Sequence, residues 1–206
     1  MELLWPAHSS RSARNSLNVC LYGLRRSLHP APPVDQYVVY RDGCYLLNPD
    51  VTWQIDRDEF LSLIAVAQAE ARAGRVEQAI ERYQSAIGVY RGQLLEDDAR
   101  SDWFEVEQRS LHERQLQALD ELALLHLRTG NLDAADNVAN RILQQDVGRE
   151  SAHRVLMRCH SQRHQQSLVA RQFQLCMAIL RRELGVSPAE ETQRLFRELT
   201  GAPQPS

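Results

Sequence analysis

From residue 56 to residue 200 the apolar positions keep a helical period, and no stretch alternates as a half-buried strand would. Helices are predicted over 57–73, 76–91, 101–129, 132–145, 149–161, 167–184 and 188–200, and the first six fall into three consecutive pairs. The pairs share a register. His164 follows Gly130 by 34 residues, the period of a tetratricopeptide helix pair. Ala135 and Ala139 then correspond to Val169 and Phe173, and Gly74, Ala79 and Tyr83 repeat the same offsets 56 residues before Gly130. That distance is one period plus a 22-residue insertion, which would hold residues 93–100 and a lengthened helix after them. Small residues such as Ala79 and Ala135 let paired helices approach closely, while Tyr83 and Phe173 fill the space between repeats. A single pair cannot bury its own apolar face, so the pattern demands a stack. The expected fold is mainly α, a tetratricopeptide-like repeat. The third repeat departs at Gln162-Arg163-His164, where a turn glycine is expected. Ser187 and Pro188 are placed as N-cap and first residue of the last helix.

The chain before residue 56 follows another pattern. Leu17, Leu21, Leu24 and Leu28 form one apolar stripe on a helix predicted over 13–28, with Ser12 as its N-cap. Asn15, Val19, Tyr22 and Arg26 lie opposite the stripe, with Asn18 and Arg25 on its flank. Asn, Tyr and Arg are side chains that reach base edges and phosphates. An ordinary amphipathic helix with a solvated polar face would carry the same pattern. The prolines at 30, 32 and 33 end this helix. Tyr37–Tyr40 and Cys44–Leu47 are then two β-prone runs around an Asp42-Gly43 turn, a strong hairpin signal. A helix followed by a hairpin is the order of a winged helix, with the hairpin as wing. Arg41 at its tip is placed to reach a phosphate or the minor groove, or else to be a solvated turn arginine.

Bulk properties narrow the function. At 206 residues, 43% hydrophobic and 25% charged, the chain can bury a substantial core. It has no apolar run long enough to span a bilayer, and its start lacks the basic and apolar regions of a signal peptide, so a cytoplasmic protein without membrane contact is expected. The net charge of −3 argues against a general polyanion binder, yet the charge is unevenly spread. Up to Arg41 there are five arginines against Glu2 and Asp35, and the remainder is acidic. Four cysteines (Cys20, Cys44, Cys159 and Cys176) form no CxxC pair, which supports neither a disulfide framework nor a zinc ribbon. His153, His160 and His164 could share one helix face, but no carboxylates accompany them at ligand spacing, and packing or surface histidines are the better account. The acidic run Glu96-Asp97-Asp98, ahead of Asp102 and Trp103, lacks the glycine of a calcium loop and reads as a charged connection. No nucleophile elbow, phosphate-binding loop or dinucleotide fingerprint is present, so no enzyme, cofactor or metal is expected.

Longer stretches carry a family resemblance. LLWP at 3–6, ARNSLNVCLYGLRRSL at 13–28 and VVYRDGCYLLNP at 38–49 resemble the second half of the winged-helix domain of SARP-type bacterial transcriptional activators. YRGQLLEDDARSDWFEVEQRSL at 90–111, ESAHRVLMRCHSQ at 150–162, RRELGVSP at 181–188 and EETQRLF at 190–196 are similar to the bacterial transcriptional activation domain of the same family. The resemblance implies an OmpR-like winged helix that binds direct repeats in double-stranded promoter DNA, and a helical domain for homodimerisation and contact with RNA polymerase. Carried onto this sequence, Arg14, Asn15, Asn18, Tyr22, Arg25 and Arg26 lie on the recognition helix and Arg41 on the wing. Asn15, Tyr22 and Arg26 are expected toward the groove, and Arg14, Arg25 and Arg41 toward phosphate. Family members carry a sheet and a further helix ahead of the LLWP segment, so residues 1–49 are expected to be a partial winged helix. A linker at 50–55, the activation domain at 56–200 and a disordered tail at 201–206 complete the expected organisation. The competing expectation is a protein-interaction scaffold that has lost autonomous DNA binding.

Overall fold

The computed structural model describes Trp5, residues 9–28, residues 37–92, Leu94 and residues 104–201. The proline stop at 30–33, most of LLWP, the acidic run at 96–98 and the tail at 202–206 lie outside the described residues. Eight helices and one hairpin make up the described chain: α1 (Ser10–Leu28), β1 (Val38–Arg41), β2 (Cys44–Leu47), α2 (Asp56–Arg72), α3 (Val76–Val89), α4 (Glu105–Arg128), α5 (Leu132–Gln145), α6 (Glu150–Gln162), α7 (Gln166–Glu183) and α8 (Glu190–Thr200). The fold is mainly helical, as the periodicity requires. The chain divides into two compact units: the described residues up to Ile55, with Phe104 and Glu105, form one, and the other described residues from Asp56 onward form the second. Among the described residues, no helix is long and apolar enough to cross a membrane.

The repeat register has a physical basis in the turns. Gly74, Gly130 and His164 all take left-handed backbone, with φ of 76°, 74° and 59°. Around each, the same two bonds close the preceding helix. Gly74, Gly130 and His164 donate to the carbonyls of Ala71, Leu127 and Ser161, while Arg75, Asn131 and Gln165 donate to those of Glu70, His126 and His160. This is one helix-ending motif used three times, and it selects glycine because only glycine enters the left-handed region freely. His164 holds that geometry with a Cβ. Replacing it with glycine is expected to stabilise the helical unit by about 1 kcal/mol, the left-handed penalty of an L-residue. A urea midpoint at or below that of the parent would contradict this.

Below the turns, Ala79, Ala135 and Val169 are fully buried, as are Tyr83 and Ala139. The main core runs through α2 to α6, from Phe60 and Ile64 through Leu119 and Leu122 to Ile142 and Val155. A second, smaller cluster joins Met157, Val169 and Leu195 to Phe173, Phe196 and Leu199. Within it the Phe173 and Phe196 rings stack at 4.2 Å. The last helix starts later than expected. Its N-cap is Ala189 rather than Ser187, because the Glu150 carboxylate accepts the Ala189 N–H at 2.9 and 3.0 Å. A carboxylate at a helix N-terminus also complements the helix dipole.

The histidines divide between different tasks. His153 is fully buried between the Val147 carbonyl at 3.0 Å and the Gln172 amide at 2.7 Å. His160 meets Gln165 Oε1, and His164 forms the turn described above. Among the described residues no group of three or more His, Cys, Asp or Glu side chains could hold a metal. All four cysteines are free; burial pushes the Cys159 thiol up to about 11 and the Cys176 thiol up to about 12, so both stay protonated.

Candidate nucleic-acid interface

The first unit contains the residues that the sequence marked for nucleic acid. Its helix begins earlier than expected. Ser9, not Ser12, caps α1, because Ser9 Oγ accepts the Ser12 N–H at 3.3 Å. The added turn brings Arg11 onto the helix. With it, α1 holds Arg11, Arg14, Arg25 and Arg26 and not a single acid. The chain contains no lysine, so each of these fixed cations is a planar donor fork suited to phosphate or guanine.

Helical spacing sorts the polar residues into two neighbouring rows. Arg11, Asn15, Val19, Tyr22 and Arg26 recur at three or four residues along one row, and all five are exposed. Val19 is 71% and Tyr22 63% exposed, high values for large side chains without a partner surface. Arg14, Asn18 and Arg25 form the second row, at four and seven residues. On the far side only Ala13 and Leu21 are buried, and Leu17 is half-buried. Leu24 at 46% and Leu28 at 42% remain exposed, so half of the leucine stripe is uncovered.

The hairpin follows from its turn. Asp42 and Gly43 both have positive φ, at 52° and 81°, the two-residue geometry that matches strand twist. That fixes the register Val38↔Leu47, Val39↔Leu46, Tyr40↔Tyr45 and Arg41↔Cys44. Tyr40 and Tyr45 are cross-strand neighbours with ring centres 4.9 Å apart. The base is held by Trp53, whose indole N–H donates to the Asn48 carbonyl at 2.9 Å and whose ring meets Tyr37 edge-on. Arg41 stands exposed at the tip, with no ion pair to a described residue.

Helix and hairpin meet through the second row of α1. Arg25 donates from Nε and Nη2 to the Val38 carbonyl, at 3.1 and 2.8 Å. Its guanidinium also lies 5.8 Å from the Tyr45 ring centre, within cation–π range. The Tyr45 hydroxyl in turn donates to Asn18 Oδ1 at 3.4 Å. Of the seven residues marked in the sequence, Asn18 and Arg25 are therefore engaged with the hairpin. Arg14, Asn15, Tyr22, Arg26 and Arg41 are exposed. Tyr45 was missed because a cross-strand tyrosine carries no signal of its own; its role depends on a helix 20 residues or more upstream. The arrangement offers a rigid cationic helix with an amide, a phenol and arginine forks outward and an arginine-tipped hairpin fixed beside it.

In sequence, the helix and hairpin are followed by the repeat of helix pairs. Residues 55–200 match the model of the bacterial transcriptional activator domain, and the chain belongs to that family. It is 24% identical over 201 residues to the transcriptional regulatory protein MoaR1 of Mycobacterium tuberculosis, a match covering 97% of this chain and 64% of that protein. The MoaR1 protein of Mycobacterium bovis matches at the same identity and coverage. Among solved structures, Mycobacterium tuberculosis EmbR, determined in complex with a low-affinity phosphopeptide, is similar in fold at a TM-score of 0.82 and 23% identity. That alignment covers 99% of this chain and 54% of EmbR. The chain thus spans less than two thirds of these relatives. The two MoaR1 relatives are transcriptional regulatory proteins, and the SARP-type resemblance stands on this family match.

Proposed function

We propose that the protein is a DNA-binding transcriptional activator in which α1 enters the major groove of double-stranded promoter DNA and the β1–β2 hairpin acts as the wing. The observation that carries this reading is the acid-free row Arg11, Asn15, Tyr22 and Arg26, exposed along a helix whose neighbouring edge is bonded to an arginine-tipped hairpin. Asn15, Tyr22 and Arg26 face the bases, and Val19 offers a methyl contact of the kind that reads thymine. Arg11, Arg14 and Arg41 take phosphates. Arg25 takes a different role from the phosphate contact expected of it: its fork positions the wing. The helical unit supplies homodimerisation and contact with RNA polymerase, in the cytoplasm, in keeping with the activator family to which it belongs.

The test is fluorescence-anisotropy titration of promoter fragments against shuffled DNA. Arg26→Ala is expected to weaken binding by about 1–3 kcal/mol on the cognate site and to relax the preference at one base pair. An equal loss on every sequence would make Arg26 a phosphate contact. A second reading has one observation in its favour, the exposure of Leu24 and Leu28 on α1. It holds that the chain is a protein-interaction scaffold without DNA binding of its own. No preference for promoter over shuffled DNA in the unmutated protein would decide for it.

A further inference from the structure

The helical unit carries a groove whose polar lining neither DNA recognition nor core packing uses. It runs across α3, α4 and α5 in two adjoining stretches of about 560 and 430 Å³, which share Tyr90 and Arg141. Its apolar floor is Ile87, Leu122 and Val138. Four carboxamides line it, Gln84, Gln115, Asn137 and Gln145, together with the guanidinium groups of Arg91 and Arg141. No carboxylate lines either stretch. Four described acids of α4 and α5 are engaged with other arginines. Glu113 and Asp120 of α4 are paired with Arg149, and Asp133 and Asp136 of α5 with Arg163. Arg91 and Arg141 make no ion pair with a described residue.

A second observation is independent of this charge distribution. Gln115 is only 4% exposed, and its Oε1 has no hydrogen-bond partner. A buried acceptor left unmatched costs free energy that evolution ordinarily removes with an apolar residue, unless a donor arrives from outside. Carboxamides offer both donor and acceptor, the complement of a peptide main chain. Two guanidinium groups are too few to track a nucleic-acid backbone, and they suit scattered carboxylates on an extended chain.

We propose that this groove binds an extended acidic segment of a partner protein. Gln115 Oε1 accepts a main-chain N–H, the other carboxamides meet neighbouring peptide groups, and Arg91 and Arg141 hold carboxylates. The inference is independent of DNA binding by α1 and adds a partner chemistry to the helical unit.

The experiment uses the full chain and a fluorescein-labelled Glu–Gly repeat of about ten residues, able to span roughly 33 Å when extended. A Gln–Gly repeat of equal length is the neutral probe. Binding of the acidic probe is expected to exceed that of the neutral one, and Arg141→Glu is expected to weaken it at least about tenfold. Gln115→Leu should weaken both probes about three- to tenfold, the loss of one main-chain hydrogen bond, without lowering the melting temperature. Arg194→Glu on exposed α8 makes the same charge change away from the groove and is expected to leave affinity within about twofold. Equal affinity for the two probes, equal losses in Arg141→Glu and Arg194→Glu, or undiminished binding in Gln115→Leu would each overturn the proposal.

Discussion

Replacing Arg149 with alanine is expected to lower the unfolding free energy of the helical unit by about 3 kcal/mol, the range for breaking a partly buried charge pair by removing one partner. Arg149 stands at the N-cap of α6, yet its guanidinium reaches α4. It donates from Nε to Asp120 at 2.7 Å and from both terminal nitrogens to Glu113 at 3.0 and 3.1 Å. Ser151 Oγ also donates to Asp120, at 2.7 Å, which completes a clamp between the two helices. Burial works against the Arg149 charge, but the hydrogen bonds to Glu113 and Asp120 outweigh it and hold the group above its ordinary range. The Asp120 side chain is itself mostly buried and would be left with one hydroxyl donor. The Arg149 bonds also hold the Glu113 carboxyl below its usual value. Stability from that pairing is therefore present above about pH 4.5 and lost as pH falls further. Urea denaturation followed by helical circular dichroism measures the effect, and a loss under about 1 kcal/mol would contradict it.

The second large effect is at His153. Both ring nitrogens are occupied: the Gln172 amide donates to Nδ1, so Nε2 carries the proton and donates to the Val147 carbonyl. Alanine here would leave a cavity and deprive the Val147 carbonyl and the Gln172 amide of a partner, at a cost of about 3 kcal/mol. The same site makes the fold acid-sensitive. Burial pushes the His153 pKa down, against a smaller upward pull from the Val147 carbonyl, and burial also lowers that of His126. A proton added to His153 would face the Gln172 donor. The unfolded chain, with histidines near pH 6.5, binds protons that the folded chain refuses. The contribution of these two histidines is thus flat above about pH 6.5 and declines as pH falls below it. His153→Ala should flatten part of that decline, and the remainder belongs to His126. An unchanged slope in the variant would contradict this account.

These two positions show where sequence stops being informative. The turns at Gly74 and Gly130 are legible because glycine advertises left-handed backbone, and the 34-residue register extends that reading to His164. Arg149 gives no such sign. Its partners lie 29 and 36 residues upstream, and Asp120 and Glu113 read as ordinary charges on a helix surface. His153 belongs to a row of histidines whose spacing suggested a shared face, but spacing does not report that one of them is fully buried against Val147 and Gln172.

The candidate interface divides in the same way. The exposed row of α1 follows from helical period, and the hairpin register follows from Asp42-Gly43. The engagement of Arg25 with Val38 and Tyr45 does not. A helical wheel assigns Arg25 to a flank, and only the packed hairpin decides whether a flank arginine faces solvent or a carbonyl. The sequence alone points to Ser12 as the cap; Ser9, a serine three residues earlier, caps α1 instead and places Arg11 on the helix.

The central claim, a recognition helix on this chain, is tested most directly by measuring affinity for a promoter fragment and for shuffled DNA across a salt series. The account predicts a preference for the promoter fragment at every salt concentration. It also predicts an affinity that falls with rising salt, with a log–log slope of about −3 for each bound protomer, one counterion for each of the phosphate contacts assigned to Arg11, Arg14 and Arg41. Binding that is insensitive to salt, or equal on the two DNAs, would contradict it.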